Sequence, residues 1–571
     1  MAWPRNHAKG IQVYINCFQG QQGAALVGRG ISWRTAVVGL SVMTAGCAVG
    51  PNFHKPTPWT PKEYGGPKRI ATTGKDGTPA QVASQTTSDD PDTAWWTIFN
   101  DPELTKLEQR VATDNLDVRR YAYRMAQSRA ELRIAGAERY PAMSATGSYA
   151  RQQYSTKMLQ RIVTDVESDP QLSNNPVFSQ YAPPPGQARI PLFNQWRDSI
   201  DATWEVDLWG RVRRQYEAAA AQTQATNEAR RGMLISRQAE VARDYMDLRN
   251  TQEQLRIVME NRDVARSMLD LNQQRYAKGL ASDMEVEQAR VQYQNTLAQL
   301  PQLEQQLVAQ VNALSLLMGE PPRALSDELL TASAIPPVPP RVPVGVPSEL
   351  ARRRPDIRRA EANLHAATAQ VGEAVAEFYP RVTINAGFGF ESLSFRDLGF
   401  WNAKAWNVGP SITLPIFQGG RLRGQLELRK AAQKEAAISY QQTVLGAWHD
   451  IDNALTAYTD EQVRHDNLTQ RMEASHHALQ LAQDQYRHGM VTYLNVLDSQ
   501  RQYLGAQSDL TTSTATISGN LVRLYNALGG GWETTYPEPA PRTKQAKATQ
   551  PPATTTTPAD TTTPAPSHQP A

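Results

Sequence analysis

Four stretches of the chain alternate apolar and polar positions with period two. In Val382-Thr383-Ile384-Asn385-Ala386-Gly387-Phe388-Gly389-Phe390 the alternation is strict. Further on, Trp406, Val408, Ile412, Leu414 and Ile416 alternate with Asn407, Gly409, Ser411 and Thr413. Earlier, Met143, Ala145 and Tyr149 alternate with Ser144, Thr146 and Ser148. Trp196, Ile200, Ala202, Trp204 and Val206 alternate with Arg197, Ser199, Asp201, Thr203 and Glu205. This period predicts four strands. Elsewhere the period is helical. Arg211–Ala277 and Arg421–Arg487 each read as one helix of 67 residues, roughly 100 Å at 1.5 Å per residue. The first carries a seam Leu234, Gln238, Val241, Tyr245, Leu248, Gln252, Leu255, Met259, the 3–4 spacing of coiled coils. A later helix repeats it with Tyr503, Gln507, Leu510, Thr514, Ile517, Leu521, Leu524 and Leu528. Gln and Thr dilute both seams. That composition suits a wall with neighbours on two sides and water on a third better than a rod around one tight core.

The elements recur in the same order. Asp117-Val118-Arg119-Arg120 returns as Asp356-Ile357-Arg358-Arg359, and Tyr140-Pro141 as Tyr379-Pro380, at one offset of 239. From Gly210 and Gly420 onward the offset is 210. It relates Tyr276 to Tyr486, Gly279 to Gly489, Val286 to Val496 and Gly319 to Gly529. Identities held at constant spacing mark an internal tandem duplication. The difference of 29 residues falls in the Pro-, Ser-, Asn- and Gln-rich stretch 152–195, read as a long loop in the first copy. Each copy then holds a helix (103–139, 348–378), two strands, a very long helix, a short glycine turn and a last helix. The division is 1–46 signal peptide, 47–101 N-terminal extension, 102–319 first repeat, 320–346 Pro-rich linker, 347–531 second repeat, and 532–571 a Pro/Thr/Ala tail too poor in apolar residues to fold.

The N-terminus adds an export signal. Arg29 and Arg34 precede an apolar run over 35–43, then Thr44-Ala45-Gly46-Cys47. Charge, apolar run and small residues arrive in signal-peptide order, and the cysteine stands where a bacterial lipobox is cleaved and acylated. Charge is nearly balanced, 59 Lys and Arg against 56 Asp and Glu, which argues against a dedicated nucleic-acid binder. Cys17 and Cys47 alone do not make a disulfide scaffold. No run of about 20 apolar residues is available for a spanning helix, so any crossing of a membrane has to use strands. The four strands are about ten residues long, as lipid-spanning strands are, and carry aromatics toward their ends. With an export signal in front, this favours a membrane barrel over a soluble sheet with one wet face. Four strands cannot close a barrel, and an open edge in lipid costs several kcal/mol per unpaired backbone group. The barrel must be shared, by two chains giving eight strands or three giving twelve.

No catalytic constellation emerges. Gly529-Gly530-Gly531 follows a helix and reads as its stop rather than a phosphate loop. His476-His477 and His488 lack metal-ligand spacing and read as exposed helix residues. The sequence implies no cofactor and no metal.

Several motifs together resemble the outer-membrane factor family, the TolC/OprM type of efflux channel in its NodT-like lipoprotein branch. They are Cys47-Ala48-Val49-Gly50-Pro51; Trp95-Trp96 with Phe99 and Asp101-Pro102-Glu103-Leu104; Arg353-Arg354-Pro355-Asp356-Ile357-Arg358 with Tyr379-Pro380; and Tyr486 with Gly489, Tyr493-Leu494 and Val496-Leu497-Asp498. The resemblance implies a mainly α fold with a small membrane β part. A homotrimer would form a twelve-strand β-barrel, four strands per chain, continued by a twelve-helix periplasmic α-barrel. It implies an outer-membrane exit channel for drugs or other small toxic compounds, lipid-anchored at Cys47. Its partners would be a periplasmic adaptor and an inner-membrane RND pump. It further implies that the turns 278–284 and 488–494, with Gly279 and Gly489, form the periplasmic tip and meet the adaptor. Asp498 matches the inner position of the tip constriction, with Asn495 at the outer, normally acidic position. Glu285 falls where an acidic residue stands on the first turn, and Tyr486 where a tyrosine can bond to it. Val491 replaces an arginine of the family. Within the same fold the alternative function is the exit duct of a type I protein-secretion system.

Overall fold

The computed structural model describes residues 48–57, 85–153, 192–346 and 353–537. In chain order the elements are β1 (Gln85–Thr87), a 3-10 turn (Trp95–Phe99), α1 (Pro102–Asp114), α2 (Leu116–Ala137), β2 (Ala142–Gln152), β3 (Phe193–Val206), α3 (Arg211–Ala277), α4 (Asp283–Leu317), α5 (Ser326–Leu329), β4 (Arg341–Pro343), α6 (Pro355–Ala376), β5 (Arg381–Ser392), β6 (Lys404–Thr413), α7 (Arg421–Arg487) and α8 (Tyr493–Leu528). The two long helices have the bounds the period predicts. The first helix does not run unbroken. Asp101 caps α1 by accepting from the amides of Glu103 and Leu104 at 2.9 and 3.0 Å, ahead of a proline at the first helical position. Asn115 then interrupts it. Its side-chain oxygen accepts from Asp117 and Val118 at 2.9 and 3.1 Å, so it ends α1 and caps α2. A short polar side chain competing for backbone amides is the reason for the break. Tyr140-Pro141 and Tyr379-Pro380 stop α2 and α6, since the residue before proline is pushed out of the helical region.

The chain divides into two compact units, residues 1–56, 127–224 and 361–439 forming one and the remainder the other. The first holds a four-stranded antiparallel sheet in the order β2-β3-β5-β6. Its register is continuous across both copies. Ala145 pairs with Ile200, Ile200 with Phe388 and Phe388 with Trp406. One residue along, Ser144 pairs with Asp201, Asp201 with Gly387 and Gly387 with Asn407. Directly opposed residues share a face, so one face is apolar and aromatic and the other polar. Hydroxyls and carboxylates of the polar face bond to each other: Thr146 lies 2.9 Å from Ser199, whose hydroxyl donates to Asp201 at 2.8 Å. The apolar face is bare, with Met143, Trp406, Val408 and Ile412 all exposed. Strands β2 and β6 are open edges among the described residues.

The second unit contains the main core. Trp95, Phe99, Leu104 and Leu107 pack with Val241, Tyr245 and Leu248 of α3, Leu314 of α4, Ile451 of α7 and Leu521 and Leu524 of α8. Trp95 stacks on Tyr525 at 5.7 Å. The α3 seam is buried from Leu234 to Gln252. Beyond it Leu255 is half-buried, Met259 is exposed and Ile257 takes over. A straight helix of 3.6 residues per turn drifts off a 3.5-residue repeat, and the seam moves with it.

Two expectations need correction here. The stretch 320–346 is not a free linker. Leu325, Leu329, Val342 and Val344 belong to the core, β4 pairs in parallel with β1, and α3 holds the segment through Gln252 to the Leu329 carbonyl at 2.7 Å and Arg249 to that of Thr331 at 2.9 Å. The tail also starts later than 532. Trp532 is buried, its indole donates to the Arg353 carbonyl at 3.2 Å, and the guanidinium of Arg231 lies 3.9 Å over its ring. Arg231 and Arg358 both pair with the buried carboxylate of Glu228, at 2.8 and 3.2 Å. Residues 538–571 and 1–47 lie outside the described residues, as does most of the insert 152–195.

Glu108 on α1 is fully buried with neither carboxyl oxygen hydrogen-bonded, and burial pushes its pKa well above the usual carboxylate value. A raised folded-state pKa contributes stability that is complete below the unfolded value and is lost as pH rises through the folded one. Glu108→Gln should therefore leave the melting temperature unchanged near pH 4 and raise it at pH 7–8, by an amount on the order of 1–3 kcal/mol of stability. Calorimetric melting of both proteins across pH checks this; parallel curves would contradict it.

Candidate functional site

The site candidates fall at two places, one in each unit. In the first, the sheet meets the helices. Trp204 donates its indole N–H to the Arg139 carbonyl at 3.0 Å, and Trp209 donates to the Pro380 carbonyl at 2.9 Å while stacking on Tyr379 at 4.8 Å. Phe378, Tyr379 and Trp209 stay partly open to solvent. At the opposite end of the sheet Tyr149 and Trp196 lie 4.3 Å apart, with Phe395 4.9 Å from Trp196. Two aromatic rims bounding an apolar strand face are the signature of a membrane barrel wall. At the helix side, Arg211 grips Glu205 through two contacts of 2.9 Å.

The residues after Cys47 are fastened at this same junction. The amide of Val49 donates to the Trp209 carbonyl at 3.0 Å. Gly50 crosses Gly372 so closely that a Cβ on it would lie 2.6 Å from the Gly372 Cα, and its φ of +89° favours glycine as well. Asn52 accepts from Arg214 at 2.6 Å, Phe53 stacks on His365 at 4.4 Å and Lys55 pairs with Glu361 at 3.1 Å. Cys47 itself is outside the described residues. Its neighbour Ala48 abuts Gly210, where α3 begins.

The second place is the pair of turns. Both use the same device. Gly279 and Gly489 each have φ of +72°, with Leu280 N bonded to the Arg275 carbonyl at 2.8 Å and Met490 N to that of Gln485 at 2.9 Å. This closes the helix with a left-handed glycine. A small core of Met268, Ala289, Leu479, Tyr486, Tyr493, Val496 and Leu497 joins the hairpins. Asp498 and Asn495 are exposed, on the side of α8 away from that core. Asp498 accepts from Gln502 at 2.9 Å, and Asn495 from the Thr492 hydroxyl at 3.3 Å. Glu285 is used in a capping box with Ser282, both contacts 3.3 Å.

Tyr486 is buried, and its hydroxyl goes to Asn272 at 2.6 Å rather than to Glu285. The Arg275 guanidinium lies 4.8 Å over its ring, a cation supplied by α3 where Val491 offers none. Burial, and then the charge of Glu285, push the Tyr486 pKa up, against Arg275. Sequence reasoning missed Asn272 and Arg275, because they meet Tyr486 across more than 200 residues of chain. Within the turns it had placed at the tip, it did not single out the apolar side chains Leu280, Met284, Met490 and Leu494, which the fold leaves exposed. The available signal was an apolar residue directly after each turn glycine, Gly279-Leu280 and Gly489-Met490.

A sheet with one bare apolar face, two aromatic rims and very long helices defines an outer-membrane channel subunit. The family model "Outer membrane efflux protein" matches residues 107–320 and 346–530, and the chain belongs to that family. It is 32% identical over 447 residues to the pyoverdine export outer membrane protein OpmQ of Pseudomonas putida, covering 78% of this chain and 90% of the relative. It is 27% identical over 496 residues to the probable outer membrane lipoprotein SilC of Salmonella typhimurium, covering 86% and 96%. Among solved structures, the outer-membrane channel OprN superposes with a TM-score of 0.73 at 29% identity, covering 85% of this chain and all of that one. The protein is an efflux channel of the outer membrane.

Removing the Tyr486 hydroxyl leaves the Asn272 oxygen buried without its donor. Tyr486→Phe should destabilise the turn region by about 1–3 kcal/mol. In hydrogen exchange, amides of 268–277 and 482–490 should lose protection by about tenfold or more, while the main core is unaffected. Unaltered exchange at both segments would show that the bond does not hold the hairpins together.

Proposed function

We propose that the chain is the exit duct of a tripartite efflux pump, assembled as a homotrimer. A periplasmic adaptor and an inner-membrane RND pump deliver small toxic compounds to it, and it performs no chemistry of its own. The observation that carries this reading is the sheet. Its apolar face needs lipid, and its two edges need partners. Because the order β2-β3-β5-β6 is antiparallel throughout, β2 and β6 run in opposite directions. The β6 edge of one copy can therefore pair with the β2 edge of the next and continue the same alternation. Three copies, the number the family resemblance implies, would give twelve strands.

Cargo selection belongs to the pump in this reading. One relative is named for pyoverdine export. The exposed Leu280, Met284, Met490 and Leu494 around Gly279 and Gly489 give an adaptor an apolar surface to cover. Asp498 of three chains would form a carboxylate ring at the tip and favour cations there.

Three experiments bear on it. Light scattering on the detergent-solubilised protein should give the mass of a trimer, and a stable monomer would overturn the shared barrel. In planar bilayers Asp498→Ala should raise single-channel conductance or weaken cation preference; if an intact assembly conducts as before, Asp498 is an ordinary solvated residue. For the anchor, Cys47→Ser should take up no labelled palmitate and accumulate as precursor. Lipid incorporation into that variant would remove Cys47 from the assignment.

A further inference from the structure

A groove of about 730 Å³ opens in the first unit beside the first residues after Cys47, within the roughly 300–1,000 Å³ of ordinary ligand clefts. The segment 48–51 forms one wall. Val371 and Val375, one turn apart on α6, and Tyr379 form an apolar floor. Lys430 and Lys434, one turn apart on α7, also line it. Both lysines are exposed, and among the described residues neither is in an ion pair. Like charges four residues apart on a helix repel, so this pair is under-compensated as it stands. The neighbouring basic groups are committed elsewhere: Arg429 donates to Gln370 at 3.1 Å, and Lys55 pairs with Glu361 at 3.1 Å. Gln433, between the lysines, donates to the Thr368 hydroxyl of α6 at 3.0 Å, so its amide is already engaged.

Depth matters as much as charge. Tyr379 on the groove floor stacks with Trp209 at 4.8 Å, in the aromatic rim that marks the level where hydrocarbon meets headgroups. A cleft at that level, apolar on its floor and cationic at its lysines, has the chemistry of a phospholipid: an acyl chain for the valines and a phosphate for the lysines.

We propose that this groove binds an anionic phospholipid of the inner leaflet, its phosphate between Lys430 and Lys434 and an acyl chain along Val371 and Val375. The occupant is not the protein's own anchor, because a thioether-linked diacylglycerol carries no phosphate for the lysines to meet. The bound lipid would continue the strap at 48–53 sideways and fix the height of the junction in the membrane.

The proposal rests on the outer-membrane reading, and its test separates from that one. The full-length assembly, purified in mild detergent and stripped of lipid, is given phosphatidylglycerol and measured by native mass spectrometry. One phosphatidylglycerol per chain should be retained. Lys430→Gln with Lys434→Gln should weaken retention by about 30-fold, at about 1 kcal/mol for each lysine near a lipid surface, with the mass of the assembly unchanged. Diacylglycerol should not be retained, and inorganic phosphate at equal concentration should not compete. Equal retention of diacylglycerol, displacement by phosphate alone, or undiminished retention by the double variant would each overturn the proposal. So would a double variant that loses its assembly while keeping its lipid, which would mean that a second copy of the chain covers the groove. A chain carrying Cys47→Ser and exported behind a cleavable non-lipoprotein signal keeps the groove and should still retain the lipid, so the lipid result does not depend on the anchor.

Discussion

Everything in the first unit follows from one requirement: in hydrocarbon, each backbone N–H and C=O must find a partner inside protein. Three ladders meet it for β3 and β5 and for one side of β2 and β6. The outer sides of β2 and β6 remain, which is why this sheet demands further copies rather than merely tolerating them. The requirement also explains the side-chain pattern. Where Ala145, Ile200, Phe388 and Trp406 line up across four strands, the row buries nothing within its own chain. Its exposure would be a fault in a soluble protein and is the working surface in lipid.

The second unit obeys the opposite rule. Its helices are wetted, so they need a core, and the core is built by segments outside the repeats as much as by the repeats. Trp95, Trp96 and Phe99 come from before the first copy, and Leu325, Leu329, Val342 and Val344 from between the copies. Polar groups on α3 tie these additions down. Tyr245 donates to Asp101 at 2.7 Å and receives from Arg249 at 2.9 Å, and Arg249 reaches Thr331. Substituting the so-called connecting segment would therefore act as a core mutation does.

How much of this could be read from the sequence depends on the range of the interaction. Strand alternation, the bounds of α3 and α7, and the glycine turns are local signals with a fixed period or a fixed backbone demand, and they were legible. The break at Asn115 was local too but ambiguous, since Asn is tolerated inside helices until its side chain turns back on the backbone. The packing of 320–346 was hidden because prolines there suggest a spacer, while the burial comes from distant helices. The partner of Tyr486 was hidden for the same reason: the family resemblance proposes Glu285, but only the fold brings Asn272 within 2.6 Å.

The duplication makes the two hairpins a controlled comparison. At the offset of 210 residues Ser282 corresponds to Thr492 and Glu285 to Asn495. The first pair closes a capping box on α4. The second cannot, because Asn495 turns to the Thr492 hydroxyl and α8 starts with no side-chain cap. A lost cap costs about 0.5–2 kcal/mol. In exchange the second hairpin carries the buried tyrosine: Tyr486 is 3% exposed, whereas its counterpart Tyr276 is 50% exposed. The first helix start is thus secured by its own backbone, and the second hairpin by a contact to α3. Two copies of one hairpin have come to depend on different physics: the first on a local cap, the second on the Asn272 hydrogen bond, the Arg275 cation and the small core around Tyr486. Local opening free energies follow the contacts that hold a segment, so the two turns open through the loss of different contacts, the cap at Ser282 in the first and the packing around Tyr486 in the second.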